Sequence, residues 1–324
     1  MTAAAEVRRL YEKFPYPSPD AADRLIHDMA TGIGFLLPGN DLAGWQVLDA
    51  GCGTGHRLVA LARRYPQARF LGVDPSGRSL DVARALAARH GVGNVEFFRG
   101  GIPETLLPMR FDLAVCSGVL HHMADPAAGV AWLAEHLTDN GLVYAWLYNA
   151  LGEHDRMLDR ELIRLLAAAD GDPDLAVVRT LGLTLSSTRY GASAAAGAPS
   201  EQDQAVMDAD AYLNPIVRPM RFTDVPGLVA GSGLDWCAAF GINTDGGGRL
   251  VDLAAEGADR ELFLSVEELF GDPAVRDRVA GLAPLDRARL IELVTRPTGF
   301  SLVAGRGRAL AECAPHIRHN VITP

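Results

Sequence analysis

The stretch Val47-Leu-Asp-Ala-Gly-Cys-Gly-Thr-Gly55 constrains this chain more than any other. An apolar run of strand character enters a turn with glycines at three alternate positions, Gly51, Gly53 and Gly55, and a helical pattern begins at His56. Glycine there lets the backbone take φ values closed to side chains and lets a ligand approach the main chain. An ordinary tight turn accounts for one such glycine and poorly for three. The pattern therefore predicts a ligand-binding loop at the end of a buried strand.

The surrounding rhythm fits. Short apolar runs at Val47–Ala50, Phe70–Val73, Val95–Phe98, Leu113–Cys116 and Leu142–Leu147 alternate with helical stretches at His56–Tyr65, Ser79–His90 and Pro126–Leu137. Gly91 and the Asn140-Gly141 pair read as helix stops. Strands separated by helices of this length predict right-handed βαβ units and a parallel sheet, hence an α/β fold. Upstream, Val7, Leu10, Tyr11 and Phe14 share a helical face that Pro15 ends, and a second helical pattern spans Ala21–Leu37. Between them YEKFPYPSP (Tyr11–Pro19) sets three aromatics among three prolines, a stiff extended segment. After Asn149 the rhythm breaks. Residues 153–187 read as helix, 188–205 as a mobile Ala/Gly/Ser-rich loop and 259–296 as helices. Strands resume at Leu234–Ile242 and Phe300–Ala304. The organisation predicted is 1–40 helical lead-in, 41–150 core, 151–221 helical insertion and 222–324 completion of the core sheet with a further helical insertion.

Bulk properties narrow the functions. With 324 residues, 48% hydrophobic and 22% charged, the chain can bury a sizeable core. A net charge of −10 argues against a nucleic-acid partner. Lys13 is the only lysine, which removes lysine Schiff-base chemistry almost everywhere, and the arginine and alanine usage suggests a GC-rich bacterial coding sequence. Cys52, Cys116, Cys237 and Cys313 are widely spaced, so neither a disulfide framework nor a zinc site is expected, and a cytoplasmic location fits. No apolar leader or membrane-length run is legible.

Which ligand the loop serves follows from two residues. A dinucleotide fingerprint requires glycine at position 56, where this chain has His56, and it has little use for an acid where a pyrophosphate must approach. Asp49 places a carboxylate two residues before the first glycine, which suits a ligand with a cationic amino group and no phosphate. S-adenosylmethionine is such a ligand. The segment DAGCGTG resembles the first motif of class I S-adenosylmethionine-dependent methyltransferases, a Rossmann-like fold. The likeness covers residues 46 to about 150 well and the remainder loosely.

The fold expected is a mostly parallel Rossmann-like sheet with a C-terminal antiparallel strand; the YEKFPYP segment is read as an N-terminal helical lid and the helical detour after residue 149 as an insertion that caps the substrate. The resemblance implies that Asp49, Gly51, Cys52, Gly53 and Gly55 hold the methionyl part of the cofactor. Asp74 ends the second strand nineteen residues after Gly55, where an acid can accept both ribose hydroxyls, and Pro75-Ser76 open the next helix. Many family members carry an acid just after the third strand; this chain has Arg99-Gly100-Gly101-Ile102, leaving adenine to the backbone around Gly101 and Ile102. The stretch Phe111–Pro126 resembles the fourth motif, so Ser117, Gly118 and Val119 border the cofactor, and His121 or His122 faces the acceptor, the other being a packing residue.

Methyl transfer from a sulfonium needs alignment and exclusion of water, with a base optional. If one is used, His122 or His121 is the first candidate. Tyr11 and Tyr16 are read either as lid residues over the cofactor or as packing of the N-terminal helix onto the domain. Tyr148 and His154, just after the fifth strand on the same carboxyl edge of the sheet, are secondary candidates, and Asp210, Tyr212, Arg218 and Arg221 form a polar-aromatic stretch that is read either as acceptor recognition or as structural ion pairing. The acceptor expected is a metabolite or natural-product scaffold, with a short peptide not excluded, no metal and no membrane partner. A homodimer is compatible, and the N-terminal segment could cover its own site or a partner's. Two other readings share these motifs. An NAD(P)-dependent oxidoreductase is opposed by His56 and Asp49, whereas a cofactor-binding protein without methyl transfer would carry identical residues.

Overall fold

The computed structural model describes residues 2–19, 25–37, 39, 41–166, 175–183, 200–242, 250–251, 263–264, 269–307, 309–314, 317–318 and 320–324. Its first half follows the predicted alternation closely. The strands β1 (Gln46–Ala50), β2 (Arg69–Asp74), β3 (Val95–Arg99), β4 (Phe111–Ser117) and β5 (Leu137–Tyr148) are mutually parallel where they pair. They are linked by α-helices at His56–Arg64, Gly77–Arg89 and Pro126–Glu135. The sheet is completed by Trp236–Ile242, Gly299–Gly305 and Val321–Ile322. Strand Gly299–Gly305 runs antiparallel between β5 and Trp236–Ile242, and Val321–Ile322 pairs antiparallel with Trp236–Ile242 at the edge of the sheet. The expected single antiparallel C-terminal strand is thus joined by a short one.

The chain reverses its winding between β1 and β4, neighbours in the sheet. Ligands of open α/β sheets bind outside the carboxyl ends of strands at such a switch point. Both faces are covered. One apolar layer includes Leu48, Phe111, Leu133, Val143 and Phe300; the other includes Val47, Leu58, Leu61, Leu80 and Trp236. Each fully buried Leu or Phe contributes roughly 1.5–3 kcal/mol of transfer free energy.

Several boundaries differ from the sequence reading. The Asn140-Gly141 pair ends no helix. The preceding helix stops at Glu135, and the pair sits inside β5, where the register with β4 shifts between the Phe111–Leu137 and Leu113–Leu142 pairs. A bulge absorbs the turn-forming residues there, because both flanks pair with β4. Of the segment expected to be a loop, 188–199 lies outside the described residues, but Glu201–Asp208 is a helix capped by Ser200, with Asp203 completing a capping box. The 153–187 stretch contains helices His154–Leu165 and Leu175–Thr180, and 259–296 contains Pro273–Ala280 and Pro284–Thr295; residues 259–262 and 265–268 lie outside the description. Among the described residues no helix is long and apolar enough to cross a membrane.

Candidate active site

At the switch point the sequence builds a tight cradle. Gly51, Gly53 and Gly55 all have positive φ, at 85°, 53° and 76°. A Cβ on Gly51 would run into the Val119 side chain, and one on Gly53 into the Tyr16 carbonyl oxygen. Gly55 instead packs on Ala83, so it serves the seating of the helix His56–Arg64 on its neighbour.

Asp74 accepts hydrogen bonds from the backbone N–H of Gly53 (2.9 Å) and of Ser76 (2.8 Å), fixing the loop against β2. A carboxylate has about four lone-pair directions, so two remain for a diol. Burial, offset by those two hydrogen bonds, raises its pKa to about 6. Asp49, only 3% exposed, is pushed up to about 7 by burial, against the attraction of Arg57. A buried acid held this high gains from a cationic ligand group, which restores its ionised form. These residues fit S-adenosylmethionine by that donor and acceptor set: an acid for the ammonium, an acid for the ribose hydroxyls and a glycine cradle closed to side chains.

A cavity of about 700 Å³ opens onto this cradle. Of the residues expected to hold cofactor, Asp49, Gly51, Cys52, Gly53, Asp74, Pro75, Gly101, Ile102, Ser117, Gly118 and Val119 line it. Gly55 and Ser76 do not; Ser76 caps the helix Gly77–Arg89 through Ser79 N–H. Burial keeps the Cys52 thiol well above its usual pKa, so it is a packing group rather than a nucleophile.

The first helix, α1 (Ala3–Lys13), forms one wall of the cavity in its own chain, through Val7, Arg8 and Tyr11. Glu12 fastens it by accepting the N–H of Gly77 (2.9 Å) at the start of the Gly77–Arg89 helix, where donors lack partners. Thr54 then staples the following segment, its N–H donating to Tyr16 O and its hydroxyl to Pro17 O.

The two histidines after β4 part company. The His121 ring is fully buried, stacks on Tyr148 at 3.9 Å and accepts the Tyr148 N–H at its Nδ1; it does not line the cavity. His122 does line it. Its Nδ1 faces the Ile216 carbonyl oxygen at 2.8 Å and must donate, which leaves Nε2 with a lone pair when the ring is neutral. Burial lowers the pKa of both rings, so His122 rests in its proton-accepting form.

The remaining expected acceptor residues divide similarly. Tyr11, Tyr16 and Tyr148 line the cavity. His154 and Arg218 are exposed and Tyr212 packs in a small cluster with Ile163 and Val178; none of the three lines it. Arg221 pairs with buried Glu292 at 2.6 Å and is structural. Asp210 has a larger place than the sequence suggested. It sits in a π-helical turn, Ala209–Leu213, and points its carboxylate at Tyr11 Oη (2.6 Å), Tyr148 Oη (3.2 Å) and His122 Nε2 (3.8 Å). Buried Arg160 holds this turn by donating to the carbonyls of Ala211 and Asn214. Sequence reasoning also missed Glu104, whose Oε2 lies beside Gly101 at the rim, supplying an acid later than the expected position. Arg57, bound to Asp28 at 2.9 Å, lines the cavity as well; its place in the first turn after the glycine loop was the available signal. Among the described residues no cluster suits a metal ion.

The cavity, the glycine cradle and the paired acids lie together at the switch point of a Rossmann-like sheet. Residues 48–143 match a family described as the methyltransferase domain, which supports a class I S-adenosylmethionine-dependent methyltransferase. It is 37% identical over 114 residues to trans-aconitate 2-methyltransferase of Deinococcus radiodurans, covering 35% of this chain and 41% of that protein. Ubiquinone biosynthesis O-methyltransferase of Neisseria meningitidis is 36% identical over 125 residues, covering 37% and 52%. An uncharacterised protein of Synechococcus matches over 81% of this chain and 60% of its own length, at 29% identity. The chain thus spans between about two fifths and three fifths of these relatives. PKMT2 from Rickettsia typhi in complex with AdoHcy shares the fold, with a TM-score of 0.57 at 18% identity over 85% of this chain and 51% of that one.

Proposed function

We propose that this chain transfers a methyl group from S-adenosylmethionine to an O, N or C atom of a small-molecule acceptor by in-line displacement. The observation that carries the reading is that one cavity joins the glycine cradle, Asp49 and Asp74 to His122 and Asp210. Its volume, about 700 Å³, falls within the range of about 300–1,000 Å³ for small-ligand sites.

When bound, S-adenosylmethionine supplies a methyl group already activated by its sulfonium. Asp49 would hold the ammonium, Asp74 the ribose hydroxyls, the main chain at Gly101 and Ile102 the adenine, and the strand end Ser117–Val119 the reacting side of the cofactor. The wall formed by α1 excludes water, which strengthens every electrostatic contact inside. His122 Nε2 takes a proton where the acceptor must lose one. The acidic balance of the chain supports an acceptor other than nucleic acid.

Calorimetric titration with S-adenosylhomocysteine, with NADH and NADPH in parallel, tests this. Saturable binding of S-adenosylhomocysteine alone, lost in Asp74→Ala, is the expected result. Binding of a nicotinamide cofactor in its place would leave only the fold.

A further inference from the structure

The acceptor end of the cavity can be read by its hydrogen-bonding inventory. Of the three tyrosine hydroxyls lining the cavity, two give their protons to Asp210, at 2.6 Å for Tyr11 and 3.2 Å for Tyr148, and the third, Tyr16, accepts from Arg57. The side chain of Asp210 is 13% exposed, and a carboxylate accepting two bonds still has lone pairs to offer. Beside it, 3.8 Å away, His122 Nε2 has no hydrogen-bond partner among the described residues. Its Nδ1 proton is committed to Ile216 O, so Nε2 can only accept while the ring is neutral. Two acceptor atoms therefore stand side by side, Asp210 partly exposed to the cavity and His122 Nε2 buried behind it, and a ligand that reaches both must bring donors. A carboxylate or phosphate brings none and would meet a like charge.

The walls add a second, independent preference. Tyr11, Tyr16, Trp146 and Tyr148 all line this cavity. Trp146 and Tyr148 project from the same face of β5 with ring centroids 5.3 Å apart, edge to face, and His122 stands edge-on to Tyr148 at 5.7 Å. Aromatic walls around a carboxylate attract an organic cation through the ring quadrupole as well as through charge. Among the described residues that line the cavity, Arg8 lies exposed. Arg156, paired with Glu153, sits over the Tyr148 ring at 5.2 Å and His121 stacks on the same ring, so the open aromatic faces are those of Tyr11, Tyr16 and Trp146. Arg57 is held by Asp28.

We infer that the acceptor presents an amine, bound as its ammonium between Asp210 and His122 within the aromatic walls and methylated on nitrogen. The inference rests on the methyltransferase reading above. The step balances. The ammonium gives one proton to His122 Nε2, and the freed nitrogen lone pair forms the new N–CH₃ bond. The S–CH₃ bond breaks with its electrons staying on sulfur. A protonated methylamine and S-adenosylhomocysteine result, with the extra proton on His122.

The test uses the full chain saturated with S-adenosylhomocysteine and titrated with matched sets on one skeleton: phenethylamine, phenethyl alcohol and phenylpropionate, then hexylamine, hexanol and hexanoate. A capped lysine tripeptide forms a separate arm, which distinguishes a free amine from a peptide side chain. The amines should bind about tenfold or more tightly than their uncharged and anionic partners. Asp210→Asn should abolish that preference by weakening the amines while the alcohols keep their affinity, a selective loss that a merely structural role would not produce. Tyr11→Phe, which keeps the carboxylate, should retain it. Amine binding equal to or weaker than that of the alcohol or carboxylate overturns the inference, as does a preference that survives Asp210→Asn. Absence of S-adenosylhomocysteine binding to the unaltered chain is a different failure, that of the methyltransferase reading itself, and is scored first.

Discussion

Tyr11 Oη donates to Asp210 Oδ1 at 2.6 Å, joining the first helix to a π-helical turn 199 residues further along the chain. This bond, with Glu12 at the start of the Gly77–Arg89 helix, closes one side of the cavity. Asn214 Nδ2 in turn donates to Tyr11 Oη at 3.0 Å, so the hydroxyl is used in both directions.

Removing that hydroxyl should loosen the wall without touching the sheet. Tyr11→Phe leaves Asp210 and Asn214 each short of a partner, a cost of about 1–3 kcal/mol. Amide hydrogen exchange over residues 3–13 should accelerate about tenfold or more, while β1 and β4 keep their protection. Unchanged exchange in α1 would mean that Glu12 and the Thr54 staple hold the helix by themselves.

The two adjacent histidines should fail in opposite ways. His122→Gln should lower kcat by roughly 10²–10⁴ for an acceptor that loses a proton, with cofactor affinity and Tm nearly unchanged. His121→Leu should instead lower stability by about 1–3 kcal/mol, because the buried Tyr148 N–H loses its acceptor. Steady-state kinetics and urea unfolding on the pair check this. The reverse pattern would assign the base to His121.

Asp49 and Asp74 link stability to pH. Their folded pKa values, about 7 and about 6, lie above the ordinary carboxylate value, so the folded state binds more protons than the unfolded chain between about pH 4 and pH 7. Stability of the cofactor-free protein should therefore fall as pH rises through that window, by on the order of 4 kcal/mol for Asp49 alone. A cationic cofactor relieves the penalty, so the stabilisation it confers should grow from pH 5 to pH 7.5. Asp49→Asn should stabilise the free protein at pH 7.5 and weaken cofactor binding. Denaturant unfolding at the two pH values, with and without S-adenosylmethionine, reads all three effects; pH-independent stability would refute the assignment.

Glycine substitutions should separate backbone strain from lost space. Gly91 has φ +64° and nothing within 4 Å of an added Cβ, so Gly91→Ala should cost only the left-handed strain, about 1–2 kcal/mol. Gly53→Ala carries similar strain and also drives its Cβ into the Tyr16 carbonyl. It should cost clearly more and weaken S-adenosylhomocysteine binding, because Tyr16 and Gly53 both line the cavity. Equal costs in thermal unfolding would show that the Tyr16 segment yields freely.

The amino-acid sequence by itself determined the sheet's first five strands, the glycine cradle and the two acids. Each is a local pattern: apolar runs of strand length, glycine where φ must be positive, and an acid at a strand end. Asp49 and Asp74 come together because β1 and β2 pair in parallel register, which alternation with helices already implies. The Asn140-Gly141 pair misled because turn-forming residues can be absorbed in a bulge when both flanks have sheet partners. The choice between His121 and His122 was open in sequence, since neighbours share every local signal. Only tertiary structure decided it, by presenting the Tyr148 N–H to one ring and the Ile216 carbonyl to the other. Asp210 joined the site for the same reason. Its position depends on Arg160 holding a distant turn against the ends of β4 and β5, a contact between segments that no local periodicity encodes.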